Sequence, residues 1–163
     1  MNPKGWRVFA STASFFPGGG LAVADAQCQA DAAAALPGSY RAMLATSTAS
    51  MASRFSTTGA PWVRIDGIPL VAAAADMFVA NGRLVAALDL TSAGTFLLNY
   101  GGWSGSTSPQ MAGTLAKTCN DWTSTNGNGI GGRVQYTDFT SMQAFDNPLD
   151  CTNTADHLYC LQQ

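Results

Sequence analysis

Hydrophobic and polar positions near the start of the chain follow two different periods. Residues 6–12, "WRVFAST", are rich in aromatic and β-branched side chains, which is typical of a strand. Residues 21–35, "LAVADAQCQADAAAA", repeat their apolar positions every three or four residues in an alanine-rich segment that "LPG" ends. This spacing predicts a helix whose core-facing side carries Cys28.

The next segment is predicted to contain a second strand and a second helix. Residues 39–46, "SYRAMLAT", have the composition of a strand. Residues 47–55, "STASMASRF", suit a short helix with Ser47 as its N-cap, because a serine hydroxyl accepts hydrogen bonds from the first turn of a helix. Met51 and Phe55 are then expected on the inner side of this helix.

Two turn signals follow. Residues 61–71, "PWVRIDGIPLV", place an Asp-Gly pair between apolar runs, and residues 76–88, "DMFVANGRLVAAL", place an Asn-Gly pair in the same way. Such pairs favour hairpins because both turn residues can adopt positive φ. We predict two hairpins, with the alternative that the alanines of residues 71–76 are helical.

From residue 99 onward the chain is dense in Gly, Asn, Ser and Pro, as in "NYGGWSGSTSPQ" and "TSTNGNGIGG". Short strand-like pieces are predicted around Trp103, at residues 119–122 and at residues 134–136. Long loops without regular structure are usually functional or disordered, and nearby cysteines favour tethered order. No repeat or linker divides the sequence, so we predict one domain over residues 1–163.

Composition narrows the class of partner. Charged residues make up 11% of the chain, against roughly 25% in an average soluble domain. The formal net charge is −2, so there is no basic field to attract nucleic-acid phosphates or anionic lipid. No stretch approaches the roughly 18 apolar residues of a membrane span. We therefore expect neither a nucleic-acid partner nor direct membrane insertion.

Four cysteines, Cys28, Cys119, Cys151 and Cys160, and one histidine, His157, limit the metal and redox chemistry. Because no Cys-x-x-Cys pair is present, a zinc site would need nearly all of these side chains at once. An even number of widely spaced cysteines predicts two disulfides and an extracellular or cell-surface protein. The spacing leaves all three pairings open. The chain begins without an apolar export segment, so we expect any export signal to have been removed.

Several segments together resemble a known family. The strand "WRVFAST", the blocks "GGLAVADAQCQADA" and "LPGSYRAMLA", the W-x-G at residues 103–105, "TCNDWTS" and the terminal "LYCLQQ" are similar to bacterial endostatin-like domains of the C-type lectin-like superfamily. The likeness spans nearly the whole chain and is most specific in the helix block and in "LYC". Over residues 56–98 it consists only of the hairpins.

The resemblance implies an α+β fold. In that fold an antiparallel sheet pairs the first and last strands, two helices flank the sheet, and the second half forms a long loop region. The resemblance also implies two disulfides, Cys28 with Cys160 and Cys119 with Cys151. On the chain-entropy model such bridges contribute roughly 5 and roughly 4 kcal/mol, respectively.

The sequence offers little for catalysis. His157 follows Asp156, but a lone histidine in a strand-like terminal segment is usually structural, and we assign it no catalytic role. The glycines at 18–20 lack the lysine and the spacing of a phosphate-binding loop. The four tryptophans lie beside strand-like residues and are expected in the core. We therefore expect no enzymatic activity and no cofactor.

Calcium is the remaining metal to consider, because the sugar-binding members of the superfamily hold it with a carboxylate-Pro-amide motif in the long loop. The corresponding residues here are Ser108-Pro109-Gln110, which lack the carboxylate that a hard cation favours. Other oxygen ligands in the loop region are Asp146, Asn147, Asp150, Asn120 and Asp121. The acids and amides around Pro148 are explained by local side-chain turns, so we expect no metal site.

Two functions fit these features. The first is an extracellular binding or adhesion module that recognises a protein or glycan through its disulfide-held loops, without calcium. The second is a structural subunit that assembles with copies of itself in a surface layer or appendage, since charge-poor surfaces desolvate cheaply. The candidate ligand-binding residues are Asn126, Asn128, Tyr136, Asp146 and Asn147.

Overall fold

The computed structural model describes residues 4–33, 36–80, 82–137 and 149–163. Within these residues it contains one α-helix, α1, at Leu21–Ala33, and short strands. The strands are β1 Trp6–Ala10, β2 Tyr40–Ala42, β3 Trp62–Arg64, β4 Gly101–Trp103, β5 Asn128–Gly129, β6 Gly131–Arg133, β7 Leu149–Asp150 and β8 Tyr159–Gln162. The arrangement is α+β, as predicted.

The main sheet is mixed rather than antiparallel. Its strand order is β2-β8-β1-β3, with β8 antiparallel to both neighbours and β1 parallel to β3. The pairing of the first and last strands is confirmed, with Phe9 opposite Cys160. The expectation of a purely antiparallel sheet is wrong because the chain crosses over between β1 and β3, and β3 then enters the sheet in the same direction as β1.

Helix α1 packs against the main sheet, as its spacing predicts. Ala24, Cys28 and Ala32 are its buried residues, and their small side chains allow close approach to the strands. A disulfide joins Cys28 to Cys160 in β8, so the helix is covalently attached to the centre of the sheet. The predicted start at Leu21 is confirmed.

The prediction of a second helix at residues 47–55 is wrong. Only a single 3-10 turn forms there, at Ala52–Arg54. The backbone is used in long-range contacts instead: the Ser47 amide donates to the Asp121 carboxylate, and the Ala52 amide donates to the Pro109 carbonyl. These bonds replace the i to i−4 ladder that an α-helix requires.

One of the two predicted hairpins is present. The Leu70 amide donates to the Trp62 carbonyl, and Gly67 takes a φ of 95° in the connecting turn. The second hairpin prediction is wrong. Residues 74–78 form a 3-10 helix, and the Leu84 and Val85 amides donate to Thr137 and Leu70 rather than across to that helix. The helical alternative for the alanines is closer to the structure.

The second half forms two small ladders, β4 with β6 and β5 with β7. Trp103 ends β4, as predicted, whereas residues 119–122 form a turn and not a strand. Apolar cores lie on both sides of the main sheet. Trp62, Trp103 and Trp122 are fully buried, which confirms the prediction for these three side chains. In the part of the chain described, no helix is long and apolar enough to cross a membrane.

Candidate functional site

The loop region is organised around an unusual turn at residues 119–122. Four consecutive residues, Cys119, Asn120, Asp121 and Trp122, have φ values of 49°, 54°, 53° and 67°. None of them is glycine, and the left-handed conformation costs about 1–2 kcal/mol for each such residue. This turn therefore persists only because surrounding contacts hold it.

Asp121 provides the first of these contacts. Its carboxylate accepts hydrogen bonds from the amide and from the hydroxyl of Ser47, both at 2.6 Å, and from the Thr118 hydroxyl at 3.0 Å. Burial raises the pKa of Asp121, but these hydrogen bonds outweigh it, so the pKa lies below its ordinary value. The turn is thereby attached to the segment that follows β2.

Two indoles attach the loop region to the core. The indole N–H of Trp122 donates to the Ala45 carbonyl at 2.8 Å, and that of Trp103 donates to the Phe15 carbonyl at 3.1 Å. The two rings meet edge to face with centroids 5.7 Å apart. Because both rings are buried and hydrogen-bonded, they fix the position of the turn relative to the sheet.

The second disulfide closes this arrangement. Cys119 in the turn is bonded to Cys151, whose amide donates to the Gly127 carbonyl. Gly129 lies between the Trp103 ring and the Cys119 sulfur, where any added Cβ would clash. The pairing implied by the resemblance is confirmed for both disulfides.

Asn126 and Asn128 lie at the edge of this clamped segment and are exposed. The Asn126 backbone is fixed, since its amide and carbonyl both bond to the Ser124 hydroxyl. The Asn128 carbonyl accepts the Cys119 amide. Neither asparagine side chain hydrogen-bonds to another described residue. The backbone at both asparagines is therefore held in place, and their side-chain amides are exposed to solvent.

Tyr136 is exposed and lies on a different segment of the chain from Asn126 and Asn128. The chain passes along β6 before reaching it, and the neighbouring Val134 and Thr137 bond to Tyr100 and Leu84. Asp146 and Asn147 lie outside the described residues. Of the predicted ligand-binding residues, Asn126 and Asn128 lie in the segment that the Cys119–Cys151 disulfide closes, and Tyr136 follows β6.

A shallow cavity of about 130 Å³ lies beside the 3-10 turn at Leu115–Lys117 and was not predicted from the sequence. Its lining includes Met111, Lys117 and Ile130. The 3-10 turn at Leu115–Lys117 packs against β5, the strand that begins with Asn128. The sequence indicates this cavity only by placing an apolar residue, Met111, among loop residues. In the structure the Met111 side chain is exposed. We call Asn126, Asn128 and this cavity the loop surface.

The predicted oxygen ligands for a cation have local partners. Oδ1 of Asp150 accepts the amide and the hydroxyl of Thr152, and the Asn120 amide donates to the Thr123 hydroxyl. The Pro109 carbonyl accepts the Ala52 amide. Over the described ranges, no group of three or more His, Cys, Asp or Glu side chains is arranged to hold a metal ion.

Asp156 and His157 form a buried pair of titratable residues at the junction between β8 and β4. Burial raises the pKa of Asp156 to about 6, and its Oδ2 accepts the Asn153 side-chain amide at 3.0 Å. Burial lowers the pKa of His157, whose Nδ1 lies 2.8 Å from the Ser11 carbonyl. His157 also packs edge to face on Tyr100. These contacts give both residues a role in joining the two sheets.

Comparison with models of known protein families finds no match for this chain. Comparison with curated proteins finds no match either. The resemblance to endostatin-like domains therefore rests on the sequence motifs and remains a prediction. The architecture itself is a mixed α+β fold with one α-helix in the described residues and two disulfides.

Proposed function

We propose that this chain is an extracellular or cell-surface binding module that recognises a protein or glycan ligand through its loop surface, without calcium and without catalysis. The observation that carries this proposal is the clamped turn at Cys119–Trp122. A strained backbone, a disulfide and two buried indoles hold a segment whose two exposed side-chain amides have no hydrogen-bond partner among the described residues. A surface fixed in advance loses little conformational entropy when a ligand binds.

The chemistry of the loop surface suits a neutral, polar ligand with a small apolar part. Side-chain amides donate and accept hydrogen bonds, as sugar hydroxyls and peptide groups do. The cavity of the loop surface adds the exposed side chain of Met111 for apolar contact and Lys117 as the one cation among its described lining residues. This combination resembles a ligand site in which a few polar groups set the orientation.

Location supports the same function. The two disulfides indicate a protein that is not cytoplasmic, because thiols in the cytosol are kept reduced. We infer from this that the loop surface works outside the cell or on its surface. The net charge of −2 provides no basic field for phosphates, so we propose no nucleic-acid partner.

The experiment is a screen of the oxidised protein on glycan and protein arrays, followed by comparison with Asn126→Ala/Asn128→Ala. Gln27→Ala is the control, because it removes a side-chain amide from helix α1, where that amide donates to the Ala13 carbonyl. Ligands that bind the control and the wild-type protein but not the double variant support the proposal. Ligands that bind all three proteins equally contradict it.

A second candidate function is a structural subunit that assembles with copies of itself. Exposed large apolar side chains favour it, and several of them come from one part of the chain: Ile68, Val79, Val85, Phe96 and Leu98. Apolar side chains on a surface with few charges are removed from water at little cost.

A further inference from the structure

A groove of about 370 Å³ lies outside the loop surface, between the end of the first hairpin and the 3-10 helix at Ala74–Phe78. Its lining includes the exposed Val79 and Val85 together with Leu70 and Val71, which are almost fully buried. The Val85 amide donates to the Leu70 carbonyl, so the two sides of the groove are hydrogen-bonded to each other. The groove is therefore a fixed feature of the fold.

The groove contains one acid and one base. Asp76 is held in place because its Oδ2 accepts the Ala73 amide at 3.0 Å. Arg83 is exposed and makes no hydrogen bond or ion pair with the rest of the described chain. The two opposite charges occupy one apolar groove without pairing with each other. A surface with this composition is complementary to itself.

Apolar residues extend the groove on one side. Val85 is 72% exposed and Val79 is 44% exposed. Phe96 lies over the Arg64 guanidinium at 5.6 Å, and the Arg64 amide donates to the Ile68 carbonyl, which places these exposed side chains beside the same hairpin. A stable interface needs about 800 Å² from each partner. That is roughly a ninth of the 7168 Å² surface of this chain.

We propose that this groove is a self-association surface on which a second copy of the chain docks about a two-fold axis, with Arg83 of each copy facing Asp76 of the other. In a two-fold interface, a contact made from one copy to its partner is repeated in reverse. One acid and one base on the same apolar face then give two ion pairs around a core of valines.

This inference rests on the second candidate function and gives it a location. It is also compatible with the first, because a dimer presents two loop surfaces at once. Two linked sites bind a multivalent surface more tightly than either site alone, without any new contact. The residues that line the groove are distinct from those of the loop surface, so the two surfaces can be altered separately.

The test is sedimentation velocity of the oxidised protein over a wide concentration range. Wild type and Arg41→Asp are expected to dimerise equally, since Arg41 is an exposed arginine on β2 and this change alters the net charge as much as Arg83→Asp does. Asp76→Arg and Arg83→Asp are each expected to weaken the dimer about tenfold or more, because each change places two pairs of like charges in the interface.

The decisive sample is an equimolar mixture of Asp76→Arg and Arg83→Asp. If the proposal is right, the mixture forms heterodimers with near wild-type affinity, because opposite charges again face each other. Val85→Asp removes no buried contact, so it keeps the fold and should abolish the dimer. A wild-type protein that stays monomeric contradicts both this inference and the second candidate function. Self-association that persists in Val85→Asp, or a mixture that fails to recover it, contradicts the groove alone.

Discussion

Asp121 accepts two hydrogen bonds of 2.6 Å from Ser47, one from the backbone amide and one from the hydroxyl. These residues are far apart in sequence, and the contact joins the left-handed turn to the segment that follows β2. The bonds oppose the strain of four consecutive positive φ angles. The shape of the loop surface therefore depends on this pair as well as on the Cys119–Cys151 disulfide.

Replacing Asp121 with alanine is expected to lower the free energy of unfolding by about 1–3 kcal/mol, because charged hydrogen bonds are lost and the Ser47 groups lose their acceptor. Urea unfolding monitored by tryptophan fluorescence measures this change. Asp150→Ala is the matched control, since Asp150 also accepts an amide and a hydroxyl but is fully exposed. Equal effects of the two substitutions would show that the Asp121–Ser47 contact carries no special role.

Both disulfides are expected in the exported protein. Mass spectrometry without reductant should show a loss of four hydrogens and cross-linked peptides that join Cys28 to Cys160 and Cys119 to Cys151. Replacing Cys119 and Cys151 together with serine should reduce stability by up to about 4 kcal/mol on the chain-entropy model. Finding four alkylatable thiols would refute both the pairing and the extracellular location.

Stability should depend on pH through Asp156. Because burial raises its pKa to about 6, the folded state binds this proton more tightly than the unfolded chain does. Its contribution is therefore fully present below the ordinary aspartate pKa of about 4 and is lost as the pH rises through 6. Asp156→Asn mimics the protonated acid, and it should stabilise the protein at pH 7 by about 1–2 kcal/mol, with little effect at pH 4.

The contribution of His157 to stability changes with pH in the opposite direction. Thermal melts over a range of pH must therefore separate this contribution from that of Asp156. Burial lowers its pKa, and its contribution is present above the ordinary histidine value and is lost as the pH falls through the lower, folded value. The difference between wild type and Asp156→Asn, measured at each pH, cancels the His157 term. A difference that does not change between pH 4 and pH 7 would contradict the assignment to Asp156.

The helix and the first hairpin were predictable from the sequence, because local patterns of residues determine them. The helix over Leu21–Ala33 follows from apolar spacing, and the first hairpin follows from an Asp-Gly pair whose glycine takes positive φ. The disulfide pairing came from resemblance and not from spacing. It is confirmed because Cys28 of α1 and Cys160 of β8 form a disulfide where the helix lies against the main sheet.

The errors occur where long-range contacts override local preference. The sequence of residues 47–55 favours a helix. In the structure, however, the Ser47 amide donates a hydrogen bond to Asp121 and the Ala52 amide donates one to the Pro109 carbonyl. Residues 119–122 look like a strand, but the disulfide and the Trp122 indole fix a left-handed turn instead. Such contacts join residues that no local pattern connects, and the cavity beside Met111 was missed for the same reason.

Calcium should have little effect on this protein. The Asp121 carboxylate accepts hydrogen bonds from Ser47 and Thr118, and the Asp150 carboxylate accepts them from Thr152. Neither carboxylate is therefore directed at a common ion. A thermal melt in excess calcium should coincide with one in excess EDTA. A shift of several degrees that Asp150→Ala or Asp146→Ala abolishes would overturn this expectation and indicate a metal-dependent site.

The central claim is that the loop surface, fixed in advance, binds the ligand. The most direct measurement is calorimetric titration, in EDTA, of an array-identified ligand into wild type, Gln27→Ala and Asn126→Ala/Asn128→Ala. We predict that the double variant binds at least about tenfold more weakly, while its melting temperature stays close to that of wild type, because exposed side chains contribute little to stability. Unchanged affinity in the double variant, or a loss of affinity that only accompanies unfolding, would contradict the proposed function.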